Sequence, residues 1–203
     1  MPSPGLPSAT RESILDAART LLAQQGFRRT SMDHVAREAG LSRRTLYLHF
    51  DDKQALFLAT IGKLVEGLLA RLEQEARAAG SPEARLISML ELRVMHRLDG
   101  VADHVRSLDE LMAHLRAAYL ERREQWFESE AAILARVLEE GMRQGLFARA
   151  PSVPLARTLV TATNALLPYS LSPRELGSRK EVERAASDLA RLLVRGVRAT
   201  PDL

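Results

Sequence analysis

The sequence predicts an all-helical protein. Apolar residues recur every three to four positions along most of the chain, and glycines and prolines fall between those stretches. No segment alternates β-branched residues with period two. Of the 203 residues, 46% are hydrophobic, enough for a real core. The expected architecture is an N-terminal three-helix domain joined to a larger C-terminal helical domain, about nine helices in total.

The first helix is announced by Thr10, a good N-cap residue, with Ile14, Leu15, Ala18, Leu21 and Leu22 on one stripe, and it stops at Gly26. A second start at Thr30 or Ser31 precedes Met32, Val35, Ala36 and Ala39, and Gly40 ends that run. Ser42 then caps a short helix from Arg43 to about His49, so two short helices meet at a glycine corner. Asp51 or Asp52 opens a longer helix through Leu56, Ile61, Leu64, Val65, Leu68 and Leu72 to near Gly80.

Ser81-Pro82 opens the next helix, expected to reach about Leu98. From Val101 to Glu140 there is neither Gly nor Pro. An unbroken helix of that length would measure roughly 60 Å, too long for one compact domain, so a bend or break is expected near residues 113–118. Helices from about Pro154 to Ser170 and from about Lys180 to Ala199 complete the chain. The expected domains are a disordered tail at 1–8, a helix-turn-helix domain at 9–54 and a helical domain at 55–203.

Several classes are excluded. With no cysteine, disulfides, thiolate metal sites and thiol redox sensing are impossible. The Pro-, Ser- and Gly-rich N-terminus lacks the apolar stretch of a signal peptide, and no 18 apolar residues run together, so a cytoplasmic protein without a membrane span is expected. No G-x-S-x-G, P-loop, H-E-x-x-H or G-x-G-x-x-G pattern occurs, and no enzyme activity or cofactor is expected. The net charge of +3 is too small to identify a partner.

The chemistry sits on the short helix from Arg43. Leu46 and Phe50 face inward, while at 100° per residue Arg44 and Leu48 point the opposite way. Thr45 and Tyr47 flank that outer face, Arg43 lies in the first turn and His49 low on one flank. An arginine fork can bond two acceptors of guanine, Thr45 offers a hydroxyl and a methyl, and Leu48 can touch a thymine methyl. Base contacts are therefore expected from Arg43, Arg44, Thr45 and Leu48. Phosphate contacts are expected from Tyr47 and His49, from Thr30 and Ser31 before the preceding helix, and from Lys53 at the start of the following one.

The segment TSMDHVAREAGLSRRTLYLHFDDKQALF closely resembles the DNA-binding segment of the TetR family of transcriptional repressors. The resemblance runs from about Ile14 to Phe57; Val35-Ala36, Ala39-Gly40, Thr45-Leu46-Tyr47, Phe50 and Lys53 carry it at their relative spacings. It implies the same base- and phosphate-contacting residues. Arg44 departs from the family pattern, in which many members carry a small residue there, often glycine.

The resemblance also implies a sequence-specific regulator, most naturally a repressor, that binds a palindromic operator in double-stranded DNA as a homodimer and is released by a small molecule. EEGMRQGLF, Glu139 to Phe147, extends the likeness into the C-terminal half. In the family, the last two helices form a four-helix bundle across a two-fold axis. Here Leu155, Leu159, Ala162 and Leu166 form one candidate stripe, and Leu189, Leu192, Leu193 and Val197 another. The family holds its inducer between the central helices. Met89, His96, Met112, Leu115, Tyr119, Trp126, Phe127 and Asn164 are the candidate lining, suited to an apolar or aromatic ligand.

His96, His104 and His114, with Asp99 and Asp103, raise metal sensing, but no two of these histidines stand at i, i+4, so no metal ligand is assigned. A metal-responsive regulator of the same fold and a helical interaction module without ligand are the alternative readings.

Overall fold

The computed structural model describes residues 8–101, 105–168, 170, 175 and 177–199, with side chains placed from residue 10 and, in the second stretch, from residue 110. Within them lie eight α-helices: α1 (Ser8–Arg29), α2 (Met32–Glu38), α3 (Arg43–His49), α4 (Lys53–Ala76), α5 (Pro82–Val101), α6 (Val105–Arg143), α7 (Ser152–Thr163) and α8 (Arg179–Gly196). A 3-10 turn, Asn164–Leu166, follows α7.

The chain divides into two compact units. Among the described residues the first comprises 8–64 and 105–120, and the second 65–101 and 121–199. Residues 55–64 and 105–120, which the sequence assigns to the C-terminal domain, thus group with the helix-turn-helix.

The first unit is built from short, well-capped pieces. In α1 the backbone leaves helical geometry at Gly26 (φ 79°), where the sequence stops the helix, and one further turn carries Phe27 into the core. The Ser31 side chain accepts from His34 N at 3.2 Å, and Ser42 accepts from Thr45 N at 3.0 Å, so each serine satisfies a free amide at a helix start. Gly40, at φ +67°, turns the chain between α2 and α3. Asp52 Oδ1 accepts from Ala55 N at 2.7 Å and caps α4. From α6, Leu111, Leu115 and Tyr119 are buried within this unit, and Glu110 accepts from the Arg28 amide at 2.9 Å.

The second unit buries a continuous apolar core including Leu68 and Leu72 of α4, Leu86, Met89 and Leu90 of α5, Leu134 and Leu138 of α6, Leu159 and Val160 of α7, and Ala190 and Val194 of α8. At its edge Arg85 donates to Ala76 O at 2.6 Å, filling a free carbonyl at the end of α4, and pairs with Glu140 at 2.6 Å.

Helix boundaries differ from expectation in three places. Helix α1 already begins at Ser8, so Thr10 lies inside it rather than capping it. The break near 113–118 is absent: α6 continues for 39 residues. The length argument assumed one domain, but residues up to Leu120 belong to the first unit and later ones to the second. In turn, α7 ends at Thr163 rather than near Ser170. Leu167 precedes Pro168, whose ring disfavours helical backbone in the residue before it, and Leu167 is extended (ψ 142°).

The EEGMRQGLF segment has a packing reason. A Cβ on Gly141 would stand 2.2 Å from the Phe147 ring, which is buried against the helix. Gly145 (φ +72°) turns the chain so that Phe147 folds back. Ala148 N then donates to Val197 O, and Ala199 N to Leu146 O, each at 3.0 Å. Gly141→Ala is expected to destabilise the protein: overpacking costs about 1–3 kcal/mol, against a helix-propensity gain of about 1 kcal/mol. Denaturant unfolding measures the balance; a more stable variant would show that Phe147 moves freely.

Candidate nucleic-acid interface

A seven-residue helix cannot hold itself in water, so α3 depends on its anchors. Leu46 is fully buried and Phe50 nearly so, with the Arg11 guanidinium 5.4 Å from the Phe50 ring centroid. With that side pinned, the opposite face is presented to solvent. Arg44 is exposed, Leu48 is 60% exposed and Tyr47 40% exposed. Isolated leucines on surfaces are ordinary; Leu48 stands one turn after Arg44 on the same exposed side of a capped helix.

The remaining outer residues differ in what already holds them. Arg43 pairs with Asp33 at 3.0 Å and stacks near Tyr47, 5.6 Å from its ring centroid. Thr45 is half-buried, its hydroxyl 2.8 Å from that of Ser42. Arg44 has no ion-pair or hydrogen-bond partner among the described residues, so its donors are uncommitted.

At the margins the structure corrects one assignment. Thr30 is 1% exposed and its hydroxyl donates to Gly26 O at 2.8 Å. Its amide donates to Phe27 O at 3.3 Å. Both donors are spent inside the α1–α2 corner, the hydroxyl on Gly26 O and the amide on Phe27 O, so Thr30 does not offer a phosphate contact. Ser31 stays half-buried at the start of α2.

His49 is half-buried against Phe50, and its Nε2 is buried with no partner among the described residues; it reaches a phosphate only after its side chain turns. The Lys53 ammonium lies 4.0 Å from the Phe27 ring centroid and 3.5 Å from Arg28 O. Burial pushes this amine below the usual lysine range, while the nearby Glu110 carboxylate pulls it back up.

The residues expected on the dimer stripes split between two roles. Leu159 and Val197 are buried in the core of the second unit and are not available to a partner, because the inner sides of α7 and α8 pack within the chain. Leu155, Ala162, Leu166, Leu189 and Leu193 are half-buried, and Leu192 is 67% exposed.

The expected ligand lining is likewise divided. Met112, Leu115 and Tyr119 belong to the first unit, and Met89, His96, Trp126, Phe127 and Asn164 to the second. Met89 and Leu115 are fully buried, and His96 Nδ1 lies 3.2 Å from Arg71 Nη1. Among the described residues no three His, Asp or Glu side chains converge on a metal position; His104 and Asp103 lie outside the described side chains.

Sequence reasoning missed a buried polar cluster in the second unit. Arg93 and Arg97 of α5 reach Glu130 of α6; Arg93 Nε donates to Glu130 Oε2 at 2.5 Å and Arg97 Nη2 to Oε1. Arg93 also donates to Thr163 Oγ1 at 2.7 Å and to Asn164 Oδ1 at 2.5 Å. The signal was available. Arg93 and Arg97 continue the apolar spacing of Leu86, Met89 and Leu90, where a charged residue must be buried or break the stripe.

Residues 14–60 match the family described as "Bacterial regulatory proteins, tetR family". The chain is 37% identical over 109 residues to the HTH-type transcriptional regulator AcrR of Shigella flexneri, a match covering 52% of this chain and 48% of AcrR. It is 30% identical over 153 residues to the HTH-type transcriptional regulator BetI of Rhizobium meliloti (strain 1021), covering 75% of this chain and 71% of BetI. The fold is also that of the transcriptional regulator FadR from Bacillus subtilis, solved in complex with stearoyl-CoA. The TM-score is 0.66 at 18% identity, over 92% of this chain and 98% of that one. Among the described residues no helix is long and apolar enough to cross a membrane. A short capped helix with an exposed outer face in an all-helical chain, set beside these likenesses, places this protein in the TetR family of DNA-binding transcriptional regulators.

Proposed function

We propose that this chain is a repressor that binds a palindromic operator as a homodimer and leaves it when a small molecule binds. The observation that carries the reading is the outer face of α3, where Arg44 and Leu48 stand exposed on a helix pinned through Leu46 and Phe50. Arg43, Arg44, Thr45 and Leu48 read bases. Ser31, Tyr47 and Lys53 hold phosphates, with His49 joining them once its ring turns.

One short reading helix has little affinity alone, and a two-fold pair places two of them about 34 to 36 Å apart, one turn of DNA. The exposed Leu192 of α8, with the half-buried Leu189 of α8, Ala162 of α7 and Leu166 of the turn after it, supplies an apolar face for that pairing, while Leu155 and Leu193 pack partly against the core. The solved complex of FadR with stearoyl-CoA supports a small-molecule signal. Because α4 and α6 each contribute residues to both units, a ligand that shifts either helix alters the reading heads. A coupling of about 1–3 kcal/mol suffices to weaken operator binding about 5- to 150-fold.

The test is a mobility-shift titration with the promoter region of the protein's own gene. Arg44→Ala is expected to cost about 1–3 kcal/mol and relax preference at one base per half-site. Lys53→Ala is expected to weaken all sequences alike and flatten the salt dependence. Equal, sequence-independent losses from both variants would overturn the division between base and phosphate contacts. No shift at all would overturn operator binding.

A further inference from the structure

We propose that Asp33 of α2 determines specificity from outside the reading helix: it cancels the charge of Arg43 and positions its guanidinium, so that Arg43 reads a base instead of gripping any phosphate. The inference rests on the base contact proposed above for Arg43.

Two adjacent arginines of α3 are held in different ways. Arg44 is exposed and has no carboxylate partner among the described residues. Arg43 is tied across the helix-turn-helix: its Nε lies 3.0 Å from Asp33 Oδ1, and its Nη1 donates to Asp33 Oδ2 at 3.3 Å. On another side its guanidinium carbon lies 5.6 Å from the Tyr47 ring centroid. The corner that sets this distance is itself fixed, with Leu41 N donating to Ala36 O at 2.8 Å and Gly40 turning the chain at φ +67°.

Stability does not account for the pair. Both side chains are exposed by half or more, and an exposed ion pair adds little to folding. Nor does α2 need Asp33 as its cap, because Ser31 already accepts from His34 N. An acidic residue in a first turn suits the helix dipole, but that interaction needs no partner on α3.

The pair does change what Arg43 offers to DNA. A free guanidinium is drawn to every phosphate and releases counterions whatever the sequence. With a carboxylate on two of its nitrogens, Arg43 carries almost no net charge toward the backbone, and Asp33 itself repels phosphates. Nη2 takes no part in the pair, so directional hydrogen bonding to a base acceptor survives the loss of charge. Asp33 and Tyr47 also restrict the side chain before DNA arrives, which lowers the entropy cost of a correct contact. The result is a residue that adds discrimination without adding indiscriminate affinity.

The experiment uses the full chain, a duplex recovered by the parent protein from a random pool, its single-base variants, and an unrelated duplex. Asp33→Ala is compared with Glu38→Ala, which removes the same charge from α2 at an exposed position with no ion pair to Arg43. Asp33→Ala is expected to bind the unrelated duplex more tightly, to steepen the salt dependence by up to about 0.9 per Arg43 released, and to lose about tenfold in discrimination at one base per half-site. Glu38→Ala is expected to leave discrimination at the parent value. In an Arg43→Gln background, Asp33→Ala is expected to change discrimination no further, which separates action through Arg43 from a general effect on the fold. Equal changes from Asp33→Ala and Glu38→Ala, unaltered discrimination in Asp33→Ala, or a loss that recurs in the Arg43→Gln background overturns the proposal.

Arg43→Gln alone tests the reading beneath it. Lost discrimination in Arg43→Gln with none lost in Asp33→Ala keeps Arg43 as a base contact and removes the role of Asp33. Discrimination unchanged in Arg43→Gln, or no sequence recovered from the pool, removes the base contact and this proposal with it.

Discussion

Glu130→Ala is expected to destabilise the second unit by about 3–5 kcal/mol, the usual cost of stripping one partner from a buried ion pair. The reason is asymmetry. Intact, the carboxylate serves Arg93 Nε and Arg97 Nη2 with no exposure of its own. Without it, two buried guanidiniums face each other across a cavity, and Arg93 keeps Thr163 and Asn164 as neutral partners. The penalty is thus for leaving charge behind, and it exceeds what the pair contributes over a well-packed apolar replacement. Urea unfolding followed by Trp126, the single tryptophan, which lies in the second unit, reads this directly. A midpoint equal to that of the parent would mean that solvent reaches these arginines.

Leu46→Ala is expected to cost the first unit about 2–5 kcal/mol, the range for removing a fully buried leucine. Leu46 is the one buried residue within α3, so the loss falls on the helix that presents Arg44 and Leu48. Operator affinity is expected to drop for all DNA sequences alike, unlike the base-specific effect of Arg44→Ala. Because Trp126 lies in the other unit, helical circular dichroism is expected to fall at lower urea while the Trp126 midpoint stays in place. An equal shift of both probes would show that the units unfold together.

Residues that act on their immediate neighbours were legible without coordinates. Ser31, Ser42 and Asp52 cap the helices they precede, Gly26 and Gly40 end the runs before them, and Leu46 and Phe50 turn inward because their spacing puts them opposite Arg44 and Leu48. These features depend on backbone groups within a few positions, and local sequence specifies them. The fold class was legible for the same reason.

Thr30 was misread because a threonine at a helix start offers its hydroxyl equally to solvent or to a carbonyl behind it; only the folded α1–α2 corner decides. The stripes of α7 and α8 were legible as apolar, but periodicity does not say which half packs inward, and Leu159 and Val197 are consumed by the core while Leu192 is left outside. The course of α6 was misjudged because its length was weighed against one domain rather than two.

By itself, then, the sequence determined α2 and α3, their caps and the face that α3 exposes, since each follows from contacts within one or two turns. The meeting of Arg93 and Arg97 with Glu130, more than thirty positions away along the chain, was decided only by the packing of α5 against α6. Burial of charge is a property of what surrounds a side chain, and no local pattern encodes which distant carboxylate will arrive to meet it.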